Sequence, residues 1–171
     1  LTINGNGTGA LALGTIQTSI SGDRTLILRG TSDPALVNTV AQIKEIGSAL
    51  TLNKADANTW MVAGASSYTG ATNVDNGTLQ IGVTDALPVT TTVRIGTGTT
   101  AGTLDTNGFD QTIGSLLSQT NSVSVTNNLI IDPGNALTVT GPVTIGANAA
   151  GSTTLFAATG GGSFENINNG G

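Results

Sequence analysis

The chain is 171 residues long, which is enough for a domain with a hydrophobic core. It combines 37% hydrophobic residues with only 9% charged and 3% aromatic residues, and its formal net charge is −5. Disordered chains usually have low hydrophobicity and high net charge, so this composition excludes that class. The five basic residues are scattered, and no stretch approaches the roughly 18 apolar residues of a membrane helix. We therefore expect neither nucleic acid binding nor membrane insertion.

Cysteine and histidine do not occur in the sequence. Without cysteine there are no disulfides or thiolate metal sites, although this alone does not fix the compartment. Without histidine the commonest general base and transition-metal ligand are missing. We predict no cofactor. The chain starts at Leu1 without Met or a signal peptide, which is typical of a mature product or a fragment.

Short runs of alternating apolar and polar residues recur along the whole chain. Period-two alternation places successive apolar side chains on one face of a strand, and glycine or Asn-Gly follows many of these runs, where a turn is needed. The pattern predicts an all-β protein, and because no linker interrupts it, we expect one domain over 1–171. The predicted strands cover 25–28, 49–52, 59–62, 78–81, 91–95, 122–125, 136–139 and 142–145.

The segment 33–47 carries signals for a helix as well as for a strand. Asp33-Pro34 supplies an N-cap followed by proline at the first helical position, and Gly47 is a suitable C-terminal cap. The competing interpretation is a strand over 38–46, which we favour because the neighbouring segments are strongly β. In that strand three apolar residues would face inward around a bulge: Val40, Ile43 and Ile46.

Antiparallel hairpins in a sandwich and coils wound into a solenoid both fit many short strands. The spacing favours coils, because the Gly-Thr-Leu of 77–79 recurs at 102–104, and periods of 20–50 residues mark repeat architectures. With roughly 20–25 residues per coil, we expect seven or eight coils and parallel strands over 48–146. The predicted interior residues are Leu79, Ile81, Val93, Ile95, Leu104, Val123, Val125, Leu137, Val139, Val143 and Ile145.

Residues 50–82 carry a specific pattern of spaced residues: Trp60, Gly64, Tyr68, Thr69, Gly70, Thr72, Val74, Gly77, Thr78, Leu79 and Gly82. In this pattern the segment resembles the autotransporter-associated β-strand repeat. Asp56-Ala57-Asn58 stands where that family has a Gly-x-Gly turn, which leaves the conformation of the turn open. The resemblance implies a right-handed parallel β-helix from the secreted passenger part of a bacterial surface protein. It implies no catalytic residues, and it assigns corners to Gly70, Gly77 and Gly82.

Asp105 and Asp110 are the nearest approach to an acid/base pair in the sequence. Pectin-degrading enzymes are also β-helices, so a role in polysaccharide cleavage is the competing hypothesis. However, Asn107-Gly108 between the two carboxylates indicates a turn, and such enzymes also need clustered Arg or Lys. We predict that Asp105→Ala and Asp110→Ala change no activity.

Calcium and ice are two further ligands that the sequence brings into consideration. Asp132 and Asn135 offer oxygen ligands, but no calcium-binding repeat is present and the segment between them is typical of a tight turn. An ice-binding face would need Thr-x-Thr pairs at one fixed period, and the pairs here keep none. They lie at 90–92, 97–100 and 138–140.

The aromatic residues are interpreted as packing residues. Trp60 and Tyr68 could stack on a sugar, but both coincide with structural positions of the repeat. The three phenylalanines are expected in the core or as plugs at the ends of the solenoid. They are Phe109, Phe156 and Phe164.

We expect an extracellular structural or adhesive module of a bacterial cell surface, not an enzyme. A terminal coil exposes unpaired backbone groups, and strand-like residues begin at once with 1–3. The expected partners are other copies of the chain, joined head to tail into a filament, or neighbouring coils of a longer solenoid. The alternative is a β-helical polysaccharide-degrading enzyme or a carbohydrate-binding module, with surface polysaccharide as the partner.

Overall fold

The computed structural model describes residues 1–18, 22–97, 99–120, 126–147, 158–159 and 161–166. Within these ranges the chain forms β-strands and no helix that could cross a membrane. The predicted strand at 122–125, with Val123 and Val125, lies outside the described residues, as does Phe156. The strands are β1 (Thr2–Asn4), β2 (Ala12–Gln17), β3 (Arg24–Arg29), β4 (Val37–Lys44), β5 (Leu50–Lys54), β6 (Thr59–Val62), β7 (Thr72–Val74), β8 (Gly77–Ile81), β9 (Thr92–Ile95), β10 (Gly102–Asp105), β11 (Gln111–Ile113), β12 (Ser115–Thr120), β13 (Asn128–Ile130), β14 (Ala136–Val139), β15 (Val143–Ala147), β16 (Ala158–Thr159) and β17 (Ser163–Asn166).

The strands of the described ranges form three sheets in which every pair is parallel. Sheet A has the order β1-β3-β5-β7-β9-β12-β15, sheet B the order β16-β13-β10-β8-β6-β4-β2, and sheet C the order β11-β14-β17. Each strand pairs with the equivalent strand one turn further along the chain, so the fold is a parallel β-solenoid, as the sequence predicts. On the third side of the solenoid, the residues that the structure describes before β11 contribute no strand to sheet C.

The part of the solenoid that the structure describes has about six turns, fewer than the seven or eight expected for the whole chain. The expected number assumed that every turn contains about the same number of residues, whereas the observed turns differ in length. Leu52 is in register with Thr72, 20 residues further on, but Leu116 is in register with Val143, 27 residues further on. The loops between the sheets absorb this variation, because the strands themselves keep their register.

Two inward-facing columns of side chains run along sheet A. Every second residue of a strand faces the interior, and parallel in-register pairing places equivalent residues above one another. Each fully buried Leu, Ile or Val side chain contributes about 1.5–3 kcal/mol of hydrophobic stabilisation. The first column contains Leu26, Leu52, Thr72, Val93, Leu116 and Val143. The second column contains Ile3, Leu28, Lys54, Val74, Ile95, Ser118 and Ile145.

The two copies of the Gly-Thr-Leu sequence lie side by side in sheet B, in β8 and β10. Gly77 pairs with Gly102 and Leu79 with Leu104, which confirms the spacing argument directly. Most of the predicted interior residues that the structure describes are buried. They are Leu79, Ile81, Val93, Ile95, Leu104, Leu137 and Val139.

The prediction was wrong for Ile145, which is 52% exposed, and Val143 is only partly buried. Both residues occupy inward-facing positions, because Val143 is in register with the buried Leu116 and Ile145 with the buried Ser118. Their strand, β15, is the last of sheet A among the described residues, so no further described strand of that sheet packs over them. Period-two alternation gives the direction of a side chain, but burial also requires a neighbouring coil.

The segment 33–47 forms a turn and then a strand, so the favoured strand is confirmed and the helix is not formed. The Asp33 carboxylate accepts a hydrogen bond from the Ala35 amide at 2.9 Å, as a capping residue would. The chain then extends into β4, which pairs with β2 on one side and β6 on the other. Val40 and Ile43 are buried as expected, but Ile46 lies beyond the strand and is 51% exposed.

Candidate functional surfaces

Trp60 and Tyr68 belong to the interior and present no ring face for a sugar. The Trp60 side chain is 0% exposed, and its Nε1–H donates to the carbonyl oxygen of Arg29 at 3.2 Å. The Tyr68 hydroxyl lies 2.6 Å from Thr72 Oγ1, and burial raises the pKa of this phenol. Both side chains therefore pack, as their positions in the repeat imply.

Asp105 and Asp110 each accept hydrogen bonds from different groups near tight turns of the chain. Asp105 accepts hydrogen bonds from the Asn107 amide at 2.9 Å and from Gln80 Nε2 at 3.0 Å. Asp110 accepts from the backbone amide of Ala136 at 2.8 Å. Between the two carboxylates, Asn107 has a φ of 49°, which identifies the predicted turn. These contacts are those of turn aspartates, and none of them involves an Arg or Lys side chain.

The calcium candidates lie in the turn that the sequence predicts. The Asn135 amide donates to the carbonyl oxygen of Asp132 at 3.1 Å, which closes the turn. Among the residues that the structure describes, no group of three or more His, Cys, Asp or Glu side chains is arranged to hold a metal ion.

The three threonine clusters lie in different parts of the solenoid. Thr92 belongs to β9 in sheet A, whereas Thr138 belongs to β14 in sheet C. Thr97 lies in the loop that follows β9, where its hydroxyl is 2.7 Å from that of Thr100. The structure does not bring these residues onto one flat face, which an ice-binding surface would require.

The sequence interpretation missed a buried lysine at the corner between sheets A and B. Lys54 is 0% exposed and stands between Leu28 and Val74 in the second inward column of sheet A. Its ammonium donates to the carbonyl oxygens of Ala55, Asp56 and Asn76 at 2.8, 2.7 and 2.9 Å. Three donors thus meet three acceptors. Burial lowers the pKa of this ammonium to about 8.

Ion pairs reinforce the same corner on its outer side. Arg29 and Asp56 form a pair at 2.8 Å, and this contact lowers the pKa of the Asp56 carboxyl. In the following turns, Arg94 and Asp75 form a second pair at 2.5 Å. The Arg29–Asp56 pair is the more exposed of the two, and exposed pairs contribute little stability. Together with Lys54 they engage three of the five basic residues of the chain, which leaves little positive charge for an anionic ligand.

Asp56 and Asn58 show how the chain makes its corner without the Gly-x-Gly of the family pattern. Asp56 adopts a φ of 60°, the left-handed conformation that a glycine would take without strain. The Asn58 side chain is buried, and its amide donates to the carbonyl oxygens of Gly5 and Arg29 at 3.3 Å each. Gly77 approaches the same turn with a φ of +69°, and a Cβ there would lie 2.4 Å from the Asp56 carbonyl oxygen.

The first turn of the solenoid presents an open apolar surface, which we call the head face and define by β1 and β2. These strands are the terminal members of sheets A and B. Four aliphatic side chains of the first turn are only partly buried, and Leu1 is 71% exposed. A groove of about 270 Å³ opens at this end. The partly buried aliphatic residues are Ile3, Leu11, Leu13 and Ile16.

The opposite end, which we call the tail face, is defined by β15, β16 and β17. These strands are the terminal members of sheets A, B and C. Ile145 is 52% and Phe164 39% exposed there, although both occupy inward columns. Phe164 is in register with Leu137, which is fully buried. The two ends of the described solenoid therefore both expose apolar side chains of interior columns.

Comparison with known proteins agrees with the resemblance seen in the sequence. Residues 52–81 match the family described as passenger-associated-transport-repeat. These residues run from the middle of β5 to the end of β8, so they include one complete turn of the solenoid. No curated protein and no solved structure matches the chain.

Proposed function

We propose that the chain is an extracellular structural and adhesive module of a bacterial surface protein, which assembles head to tail through its solenoid ends. The repeat match and the parallel β-solenoid fit the passenger part of such proteins. The observation that carries the assembly is the pair of open ends, because each presents strand edges beside an apolar cross-section.

The inward columns of sheet A are compatible with continuous stacking. Ile3 begins the second column at the head face, and Ile145 ends the same column at the tail face. A copy placed tail to head would set β1 beside β15 as a further parallel strand. The two isoleucines would then cover each other. Because the contact joins different faces of two copies, it does not close, and it produces a filament.

The described surface favours this structural role over the carbohydrate-binding or polysaccharide-degrading alternative. Stacking on sugars requires exposed aromatic rings, whereas Trp60 and Tyr68 are buried. The two aspartates considered for cleavage are engaged with turn amides. Adhesion would then depend on the two ends of the solenoid and on its exposed loops.

Light scattering and negative-stain electron microscopy of the purified chain test the assembly. We expect scattering to grow with protein concentration and unbranched filaments to form. Seven strand positions in sheet A, about 4.8 Å apart, give an axial repeat of about 34 Å per copy. A folded monomer that persists at millimolar concentration would contradict head-to-tail assembly and leave only the coarser structural role.

A further inference from the structure

The peptide between Asn76 and Gly77 carries the chain from β7 into β8, at the corner that holds Lys54. Asn76 is partly buried, and the Gly77 amide donates to Asn76 Oδ1 at 2.8 Å. The backbone nitrogen of Gly77 is therefore in contact with the side-chain amide of the residue before it. These two groups are the reactants of asparagine deamidation, in which the backbone nitrogen attacks the side-chain carbonyl carbon.

Lys54 contacts the same peptide group. Its ammonium donates to the carbonyl oxygen of Asn76 at 2.9 Å, and the carbon of this carbonyl is bonded to the Gly77 nitrogen. The nitrogen must lose its proton before it can attack, and the negative charge then spreads onto the carbonyl oxygen. A hydrogen bond from a charged donor is stronger than a neutral one, so it stabilises this anion. The buried ammonium therefore favours the reactive form of the peptide.

Three other Asn-Gly pairs lie within the described residues, at 4–5, 6–7 and 107–108, and their contacts differ. The Gly5 amide donates to a carbonyl oxygen of the next turn at 2.8 Å. Asn6 Oδ1 accepts from an amide of the next turn at 3.0 Å, and Asn107 Nδ2 donates to a carbonyl oxygen of the preceding turn at 3.2 Å. These hydrogen bonds hold one of the two reacting groups towards a neighbouring turn instead of joining them.

We propose that Asn76 is a site of spontaneous deamidation, which the corner between sheets A and B promotes. Hydroxide removes the proton of the Gly77 amide, and the nitrogen forms a bond to Asn76 Cγ. The Cγ–Nδ2 bond breaks, and the side-chain nitrogen takes a proton from water and leaves as ammonia. The resulting cyclic imide then takes up a water molecule. Hydrolysis at Cγ gives aspartate, and hydrolysis at the backbone carbonyl gives isoaspartate.

Both products change the corner, because each adds a carboxylate. Isoaspartate also lengthens the main chain by a methylene group between β7 and β8. The corner has little room for it, since a Cβ on Gly77 would already lie 2.4 Å from the Asp56 carbonyl oxygen. The Asp75 amide, one residue before Asn76, is held by a hydrogen bond of 2.8 Å to the Lys54 carbonyl oxygen. The isoaspartate form should therefore melt at a lower temperature than the unmodified chain.

Peptide mapping by mass spectrometry, after incubation of the folded chain near neutral pH, compares the Asn-Gly pairs within one molecule. Asn76 should deamidate at least about tenfold faster than Asn4, Asn6 and Asn107, the factor that one hydrogen bond from a charged donor supplies. In urea the contacts are lost, and the rates should become similar because glycine follows each of these asparagines. Equal rates in the folded chain, or the same preference for Asn76 in urea, would overturn the proposal.

Lys54→Met tests the contribution of the ammonium. The rate at Asn76 should fall at least about fivefold, while the other Asn-Gly pairs keep their rates. Lower stability alone would raise all the rates together through unfolding, so the other pairs serve as an internal control. Lys44→Met, which changes an exposed lysine, is the matched control and should leave the rate at Asn76 unchanged. If Asn76 kept the rate of the parent in Lys54→Met, or accelerated in step with the other pairs, the role of the ammonium would be overturned.

Discussion

Replacing the buried Lys54 by Met tests whether an ammonium group holds the corner between sheets A and B together. The substitution keeps an unbranched side chain in the inward column but removes the donors to three carbonyl oxygens. A fully buried carbonyl left without a donor costs about 1–3 kcal/mol, and these three contacts are part-buried, so each loss lies towards the lower end of that range. The substitution also has a stabilising effect, because the folded variant no longer buries a charged group. The lowering of the Lys54 pKa from 10.5 to about 8 corresponds to a cost of about 3 kcal/mol for burying that charge.

We therefore expect Lys54→Met to lower the free energy of unfolding by about 2–4 kcal/mol at pH 7. Urea denaturation followed by the fluorescence of Trp60 measures it, because this sole tryptophan is buried in β6, the strand that follows β5 and Lys54 in the chain. Lys44→Met is the matched control, since Lys44 is exposed at the end of β4 and its loss should change stability by less than about 0.5 kcal/mol.

The pH dependence gives an independent test of the same lysine. Its pKa is lowered in the folded state, so between about pH 8 and pH 10.5 the unfolded chain binds the proton and the folded chain does not. Stability should therefore rise with pH in this window, and the rise should vanish in Lys54→Met. Comparison with Lys44→Met up to about pH 9.5 avoids the ionisation of tyrosine in the unfolded chain. A Lys54→Met variant as stable as the parent, with the same pH profile, would refute the reasoning.

Three other predictions concern a corner carboxylate, a glycine and the turn aspartates. The Glu45 carboxylate accepts hydrogen bonds from the backbone amides of Thr69 and Leu50, which lowers the pKa of this carboxyl. The free energy of unfolding should therefore fall as the pH drops through that lowered pKa, and Glu45→Gln should reduce this fall in urea denaturation at a series of pH values. The same pH dependence in the parent and the variant would contradict the prediction. Gly77→Ala should lower the free energy of unfolding by at least about 2 kcal/mol more than Gly134→Ala does. Both glycines have a positive φ, but only at Gly77 would the new Cβ approach a carbonyl oxygen. Equal melting temperatures of the two variants would refute this close approach. Asp105→Ala and Asp110→Ala should change no activity towards acidic polysaccharides, and cleavage by the parent that is lost in either variant would contradict the structural role.

The sequence was sufficient for the fold because the signals repeat in every turn. The Gly-Thr-Leu recurrence at 77–79 and 102–104 is the register of β8 and β10, and period-two alternation identified the buried faces. The sequence also contained a signal for the burial of Lys54, which the interpretation missed. Leu50, Leu52 and Lys54 follow one another at every second position of β5, so alternation places all three side chains inward. The charge of Lys54 argued for the surface, and the interior position is acceptable because the carbonyl oxygens of Ala55, Asp56 and Asn76 accept from the ammonium.

The remaining errors arose where burial or conformation depends on another turn. The helix signals at Asp33 are real, because its side chain caps a local turn, but pairing with β2 and β6 overrides any helix beyond it. Ile145 faces inward in β15, the last described strand of sheet A, and it is half-exposed because alternation sets only the direction of a side chain and not whether another strand covers it.

Cysteine crosslinking tests head-to-tail assembly most directly. Thr2 and Thr144 begin and end one outward column of sheet A, and the chain has no cysteine of its own. Within one copy they are separated by six turns, or about 29 Å, which no disulfide can span. Between stacked copies they would be adjacent, so the Thr2→Cys/Thr144→Cys variant should give a ladder of multimers on non-reducing gels. The control pair Thr2→Cys/Thr84→Cys, with one cysteine in an exposed loop, should not. No ladder, or an equal ladder from the control pair, would contradict the assembly.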